Sequence, residues 1–266
     1  MNTKQVVLIT GATSGIGYQL AKDYLDAGDT VIAVGRNKDQ LIDLQQSGAD
    51  TVCCDLADGN AWQTSVWQLE ERYHNIDVVI LNAGVCHYVD DGDLDAEVLQ
   101  QTLDVNVVAP VRVLQSLTPL LQRASKPKVA LVSSASVYLP FVRAEFYGAS
   151  KAALQYMGHV LSTSLKPKGI QLVTVILGFI DTPLTRKNDF DMPMLATVDG
   201  ASAAIRRGIE RGVHEVHFPR LFCAILRTLH KLPVSARIWL AGKMVKSNQD
   251  NGKQSHTRHQ QGETRT

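Results

Sequence analysis

Short unbroken apolar runs alternate along the chain with longer stretches in which apolar residues recur every three or four positions. The runs fall at residues 6–9, 30–34, 51–54, 76–81, 129–132, 170–176 and 212–218. Most are apolar at successive positions, so both faces of each strand carry side chains that need cover; that is the pattern of a sheet packed on two sides. Between the runs, Leu20, Ala21, Tyr24 and Leu25, then Leu41, Ile42 and Leu44, then residues 60–73, show the period of amphipathic helices. Asn106 opens another such stretch through Val107, Val111, Leu114 and Leu117. Further ones follow Tyr147 and span 199–211. Alternating strands and helices predict βαβ units, and hence a doubly wound α/β fold with a seven-stranded parallel sheet and helices on both faces.

The 266 residues suffice for one large domain. That domain is expected over 1–218, with a basic amphipathic extension over 219–246 and a disordered tail over 247–266. The extension carries Arg220, Arg227, Lys231, Arg237, Lys243 and Lys246 with no acid. Its apolar face can pack on the enzyme body or a second subunit, wall a lipophilic site, or lie on an anionic membrane surface. The tail is polar and charged, and the spacing of His256 and His259 in it has no further ligand to make a metal site. A formal net charge of +1 gives no electrostatic case for nucleic acid. Cys53, Cys54, Cys86 and Cys223 form no C-x-x-C pair and read as buried reduced thiols. The N-terminal residues enter a strand-like run without a signal peptide's long apolar core, and no run is long enough to span a bilayer. A cytoplasmic protein is expected, peripheral at a membrane if the extension binds one.

The first strand runs into Thr10-Gly11-Ala12-Thr13-Ser14-Gly15-Ile16-Gly17 and then a helix. Glycines there permit a tight turn and close approach of backbone to ligand, and the helix N-terminus offers N–H groups to a pyrophosphate. The second strand ends at Gly35-Arg36. A carboxylate at that point would receive a ribose 2′-OH; a guanidinium pairs instead with a 2′-phosphate, which favours NADP(H) over NAD(H). Asp55, followed by Leu56, either accepts from an adenine amino group or caps the next helix. Asn82-Ala83-Gly84 ends the fourth strand with small residues that let a ring and ribose lie against the backbone. Asn106 is either an N-cap or the holder of a water. Ser134 stands at the C-terminal end of the fifth strand, where open α/β sheets bind ligands, and alternation points Ser133 elsewhere. Tyr147 and Lys151 are four apart on a helix and share a face. The ammonium is expected to lower the phenol pKa from about 10 toward the working range of a general acid.

As a set, Thr10-Gly11-x-x-x-Gly15-x-Gly17, Asp55-Leu56, Asn82-Ala83-Gly84, Asn106, Ser134 and Tyr147-x-x-x-Lys151 resemble the short-chain dehydrogenase/reductases over roughly residues 4–218. The resemblance implies a Rossmann-type sheet, NAD(P)(H)-dependent interconversion of a carbonyl and an alcohol by hydride transfer, and a homodimer or homotetramer. It assigns proton donation to Tyr147, polarisation of the carbonyl oxygen to Ser134, the nicotinamide ribose to Lys151 and a linking water to Asn106. It adds Thr13, Ser14, Ile16, Gly178, Ile180 and Thr182 to the cofactor contacts. The family often has Pro-Gly after the sixth strand, where this chain has Leu177-Gly178. Walls for an apolar substrate are expected from loops 85–93, 138–145 and 179–198, with Phe141, Phe146, Phe179, Phe190, Met192 and Met194. The competing reading is a nucleotide sensor or scaffold on the same fold. An epimerase or dehydratase would use the same tyrosine, but no extra substrate-anchoring group for one can be identified.

Overall fold

The apolar runs form β1 (Val6–Thr10), β2 (Thr30–Gly35), β3 (Asp50–Cys53), β4 (Val78–Leu81), β5 (Lys128–Ser134), β6 (Gln171–Leu177) and β7 (Glu215–Phe218). The structure, a computed structural model, describes residues 4–243 apart from Asp91 and Asp189. All pairings are parallel, in the order β3-β2-β1-β4-β5-β6-β7. The chain steps outward from β1 to β3, then returns to lay β4 on the other side of β1. This reversal opens a crevice beyond the C-terminal ends of β1 and β4.

Successive residues of one strand feed opposite cores, which explains why the strands are apolar throughout. Val7 and Ile9 pack with α1 (Gly15–Asp26), α2 (Lys38–Gln46) and α7 (Val198–Arg211), through Leu20, Leu44, Ile205 and their neighbours. Leu8, between them, packs with α3 (Gly59–Arg72), α5 (Ala109–Gln122) and α6 (Glu145–Ser164), through Trp62, Leu117 and Leu154. Trp62 is almost fully enclosed, and its indole N–H donates to Ser116 Oγ at 2.9 Å, so α3 is tied to α5 by packing and by a satisfied polar group.

The helix expected to open at Asn106 begins earlier. Asp95 caps α4 (Ala96–Leu103) by accepting from the Glu97 and Val98 amides. The chain then passes through a π turn over Asp104–Val108 directly into α5, so Asn106 lies inside a continuous helical run and is not an N-cap. β7 starts at Glu215 because Gly212, at φ +63°, closes α7 and returns its N–H to Gly208 and Ile209.

After β7 come α8 (Arg220–His230) and helical residues 234–243. Phe222, Cys223 and Leu226 of α8 pack on Ile176, Tyr138 and Leu139, while Leu221 and Ile225 stay exposed. No helix among the described residues is long and apolar enough to cross a membrane. All four cysteines are unpaired, but only Cys54 and Cys223 are buried; Cys53 is exposed and Cys86 half-buried. The tail expected over 247–266, with His256 and His259, lies outside the described residues, as do Met244 and Lys246 of the extension.

Candidate active site

The crevice at the strand reversal is a cleft of about 260 Å³. Its walls bring together Gly11, Thr13, Ser14, Gly15, Ile16, Arg36, Asp55, Leu56, Asn82, Ala83, Gly84, Ser134, Tyr147, Lys151, Gly178, Ile180 and Thr182. Of the catalytic and cofactor-binding residues the sequence nominated, all line it except Gly17 and Asn106, which stand behind it. A Cβ on Gly17 would lie 2.2 Å from the Gly11 carbonyl oxygen, so only glycine lets α1 start this close to the loop. Gly11 itself has φ +66° and backs onto Ala83. Thr10 pins the loop to the end of β4: its Oγ1 accepts from the Asn82 and Ala83 amides at 3.0 and 3.1 Å. The Asn82 side chain donates back through Nδ2 to the Thr10 and Gly11 carbonyls. The cradle is therefore stiffened from both strands, with small residues facing the opening. These residues fit an extended dinucleotide whose pyrophosphate meets the N-terminus of α1.

Where the cleft runs past the ends of β2 and β3, Arg36 Nη1 donates to Asp55 Oδ2 at 3.2 Å, and Asp55 Oδ1 accepts from the Ala57 amide. Asp55 does not cap α3; Asp58 does, by accepting from the Asn60 and Ala61 amides. Asn37 caps α2, which leaves the Arg36 side chain free of any helix-opening duty. The Arg36–Asp55 pair is well exposed (64% and 46%), so it is worth at most about 1 kcal/mol and gives way readily to a stronger anion.

At the other end, Ser133 and Ser134 divide their work. Buried Ser133 Oγ donates to the Lys151 backbone carbonyl at 3.0 Å, which ties α6 to β5. Ser134 Oγ accepts from the Ser136 amide and faces the site. Lys151 is buried, and its Nζ donates to the Val132 carbonyl at 3.0 Å and lies 5.8 Å from the centre of the Tyr147 ring. Burial lowers the ammonium pKa to about 8, partly offset by Cys86. Burial likewise pushes the Tyr147 phenol up to about 12, opposed by a hydrogen bond with Ser134 and reinforced by Cys86. The sequence led to the opposite expectation for Tyr147. Desolvation dominates, and Lys151, itself desolvated and bonded to the Val132 carbonyl of β5, does not offset it.

Asn106 commits both of its amide protons and one oxygen lone pair to protein groups. Oδ1 accepts from the Val85 amide at 2.8 Å, while Nδ2 donates to the Val85 carbonyl and to Ser150 Oγ, each at 2.9 Å. A water at this point would have to donate, to the second Oδ1 lone pair or to a backbone carbonyl, since both Nδ2 protons are taken.

Beyond Tyr147 a second chamber of about 90 Å³ is lined by Phe141, Phe179, Phe190 and Phe222, with Cys86, Tyr88, Ser136 and Asn188 among the polar positions. Phe141, Phe179 and Phe190 are walls as expected. Phe146 is buried in the fold instead, because its position in the first turn of α6 faces inward. Met192 and Met194 are not among the chamber's walls, and Met194 points outward, 46% exposed. Phe222 comes from the extension, for which walling a lipophilic site was one of the expected alternatives: α8 inserts it against Gly178, where a Cβ would meet the Phe222 ring at 2.5 Å. The only signal was the apolar face of the extension. Ser134, Tyr147, Leu177, Gly178, Leu184 and Thr185 line both the cleft and the chamber, so the two hydroxyls stand at the seam.

Comparison with known proteins agrees with this geometry. A family model described as short chain dehydrogenase matches residues 5–192. The chain belongs to the short-chain dehydrogenases. Within that family this dehydrogenase is 29% identical over 187 residues to sulfoacetaldehyde reductase 2 of Chromohalobacter salexigens, covering 68% of this chain and 74% of the relative. It is 31% identical over 191 residues to an uncharacterized oxidoreductase, DltE, of Bacillus subtilis, covering 70% and 75%. Among solved structures, a short-chain dehydrogenase from Streptomyces avermitilis superimposes with a TM-score of 0.79 at 24% identity, covering 92% of this chain and 99% of that one. Another from Sphingobium yanoikuyae, in complex with NADPH, gives 0.73 at 23%, covering 86% and 97%. At such identities these two likenesses concern the fold.

Proposed function

We propose that this short-chain dehydrogenase is an NADP(H)-dependent oxidoreductase that interconverts a lipophilic ketone or aldehyde and its alcohol. The observation that carries the reading is the seam: Ser134 and Tyr147 line both a dinucleotide-shaped cleft and an apolar chamber. A carbonyl oxygen at that seam meets two hydroxyls. The cleft residues would hold NADPH, which would supply a hydride to the carbonyl carbon. Tyr147 holds its proton throughout the neutral range and passes it to the oxygen, while Ser134 polarises the C=O bond. Lys151, positively charged below about pH 8, supplies the only buried cation beside the phenol among the described residues. Arg36 favours the 2′-phosphate because its bond to Asp55 is weak and exposed. The NADPH complex of the Sphingobium structure and the aldehyde substrate named for the Chromohalobacter relative support this reading by analogy.

The test is NADPH oxidation against a panel of short aldehydes, aromatic ketones, steroids and long-chain 3-oxo lipids. NADPH binding without turnover of any member would return the chain to the sensor reading.

Two association states are part of the proposal. Exposed Val108 and Val111 on one helical run, with Tyr156 and Val160 on α6, suit a homodimer or homotetramer, checked by light scattering. Exposed Val234, Ile238 and Trp239 accompany an acid-free basic segment, and Lys243 Nζ sits 4.1 Å over the Trp239 ring. That combination supports peripheral contact with anionic lipid. Equal recovery in the supernatant with and without anionic vesicles at low salt would remove it.

A further inference from the structure

Among the described residues, two buried side-chain polar atoms lack a hydrogen-bond partner: Ser136 Oγ and Arg237 Nε. Orphaned buried polar atoms are rare and costly, and each calls for a physical reason. Both residues belong to the wall of one groove, about 680 Å³ in volume, between helical residues 234–243 and the 136–152 stretch. The rest of the wall is largely apolar, with Leu139, Pro140, Phe141, Val142, Val234 and Ile238. Ser136, Phe141, Val142 and Ala144 also line the chamber beside Tyr147, so the two spaces share a wall.

Volume decides what this can mean. At about 90 Å³ the chamber is well short of the roughly 300–1,000 Å³ that encloses a typical small-molecule ligand. It can take the reacting carbonyl and little more. The body of a larger substrate needs adjoining apolar space, and the groove supplies it. Its polar requirement follows from the orphaned groups: an N–H and a hydroxyl need an acceptor. Exposed Glu145 lies on the same wall and would repel a carboxylate, so the anchor suits a neutral acceptor better. Arg237 Nη1 lies 3.2 Å from His230 Nδ1, which is also 2.9 Å from the Tyr138 carbonyl oxygen, so Nδ1 can serve only one of the two at a time.

Building on the reductase reading, we propose that the groove is a second binding compartment. It takes the tail of an elongated apolar carbonyl compound that ends in an ester or second carbonyl, anchored by Arg237 Nε–H and Ser136 Oγ.

The test uses the full chain and a fluorescent long-chain probe, methyl cis-parinarate. Three variants are compared with the parent: Arg237→Met, Ser136→Ala and Gly242→Trp. A Cβ on Gly242, which also lines the groove, meets nothing within 4 Å, so a bulky side chain there starts from open space. The probe should bind the parent saturably, about tenfold more weakly to Gly242→Trp, and about three- to tenfold more weakly to each of the other two, with NADPH affinity retained as the folding control. The kcat/KM ratio of a long ω-oxo methyl ester over a short alkanal should fall in parallel. Unchanged probe affinity in Gly242→Trp or in Arg237→Met would overturn the proposal. Loss of probe binding in the variants, with no carbonyl substrate for the parent, would uphold the groove as a binding site and sink the reductase reading alone.

Discussion

Asn106 holds both backbone polar groups of Val85, the amide at 2.8 Å and the carbonyl at 2.9 Å. The π turn that carries Asn106 widens the helix at this one place and aims the amide across at the loop leaving β4. Replacing Asn106 with Leu should leave the Val85 groups and one Ser150 contact unmet and lower stability by about 2–5 kcal/mol. Urea unfolding measures this. A loss below about 1 kcal/mol would mean that the loop is held by other contacts.

Tyr147→Phe keeps the ring that packs beside Lys151 and deletes the proton. Carbonyl reduction should fall by about 10²–10⁴ in kcat, while NADPH affinity stays near the parent value. Stopped-flow turnover with fluorescence titration of NADPH separates the two, and a variant with near-parent kcat would dismiss Tyr147 as the acid.

For Arg36→Asp, the carboxylate would face any 2′-phosphate and would also sit against Asp55. The NADPH-over-NADH ratio of kcat/KM should drop by about 10²-fold or more. An unaltered ratio would place recognition of the phosphate elsewhere.

Lys151 links the site to pH. Its folded pKa is lowered from 10.5 to about 8 by burial. The unfolded chain therefore keeps that proton at pH values where the folded chain has released it, so the penalty of burying the charge is full below about 8 and fades as pH rises toward 10.5. Lys151→Met removes the penalty at the cost of the bond to Val132 and of turnover. It should be more stable than the parent at pH 7, by up to about 3 kcal/mol, with the gap closed by pH 10.5. Denaturant titrations at the two pH values test this; a gap independent of pH would show that the lysine is not buried as a cation.

Strand positions were readable because a doubly covered sheet demands apolar residues at every step, as in Val7, Leu8 and Ile9. The cleft was readable for a related reason: a turn that only glycine permits leaves glycines in the sequence, as at Gly11 and Gly17. Contacts from distant segments leave no such local trace. The π turn at Asn106, the insertion of Phe222 and the groove over Ser136 each depend on elements brought together by topology. The Tyr147 pKa was misjudged for the same reason, since spacing reveals a neighbouring charge but not how much solvent both groups have lost.

The Ser133 hydroxyl, hitched to the backbone of Lys151, has an evolutionary consequence. It fixes the Lys151 turn of α6 to β5 directly, so the loop over residues 138–145 should be free to change in sequence without shifting that helix on the sheet.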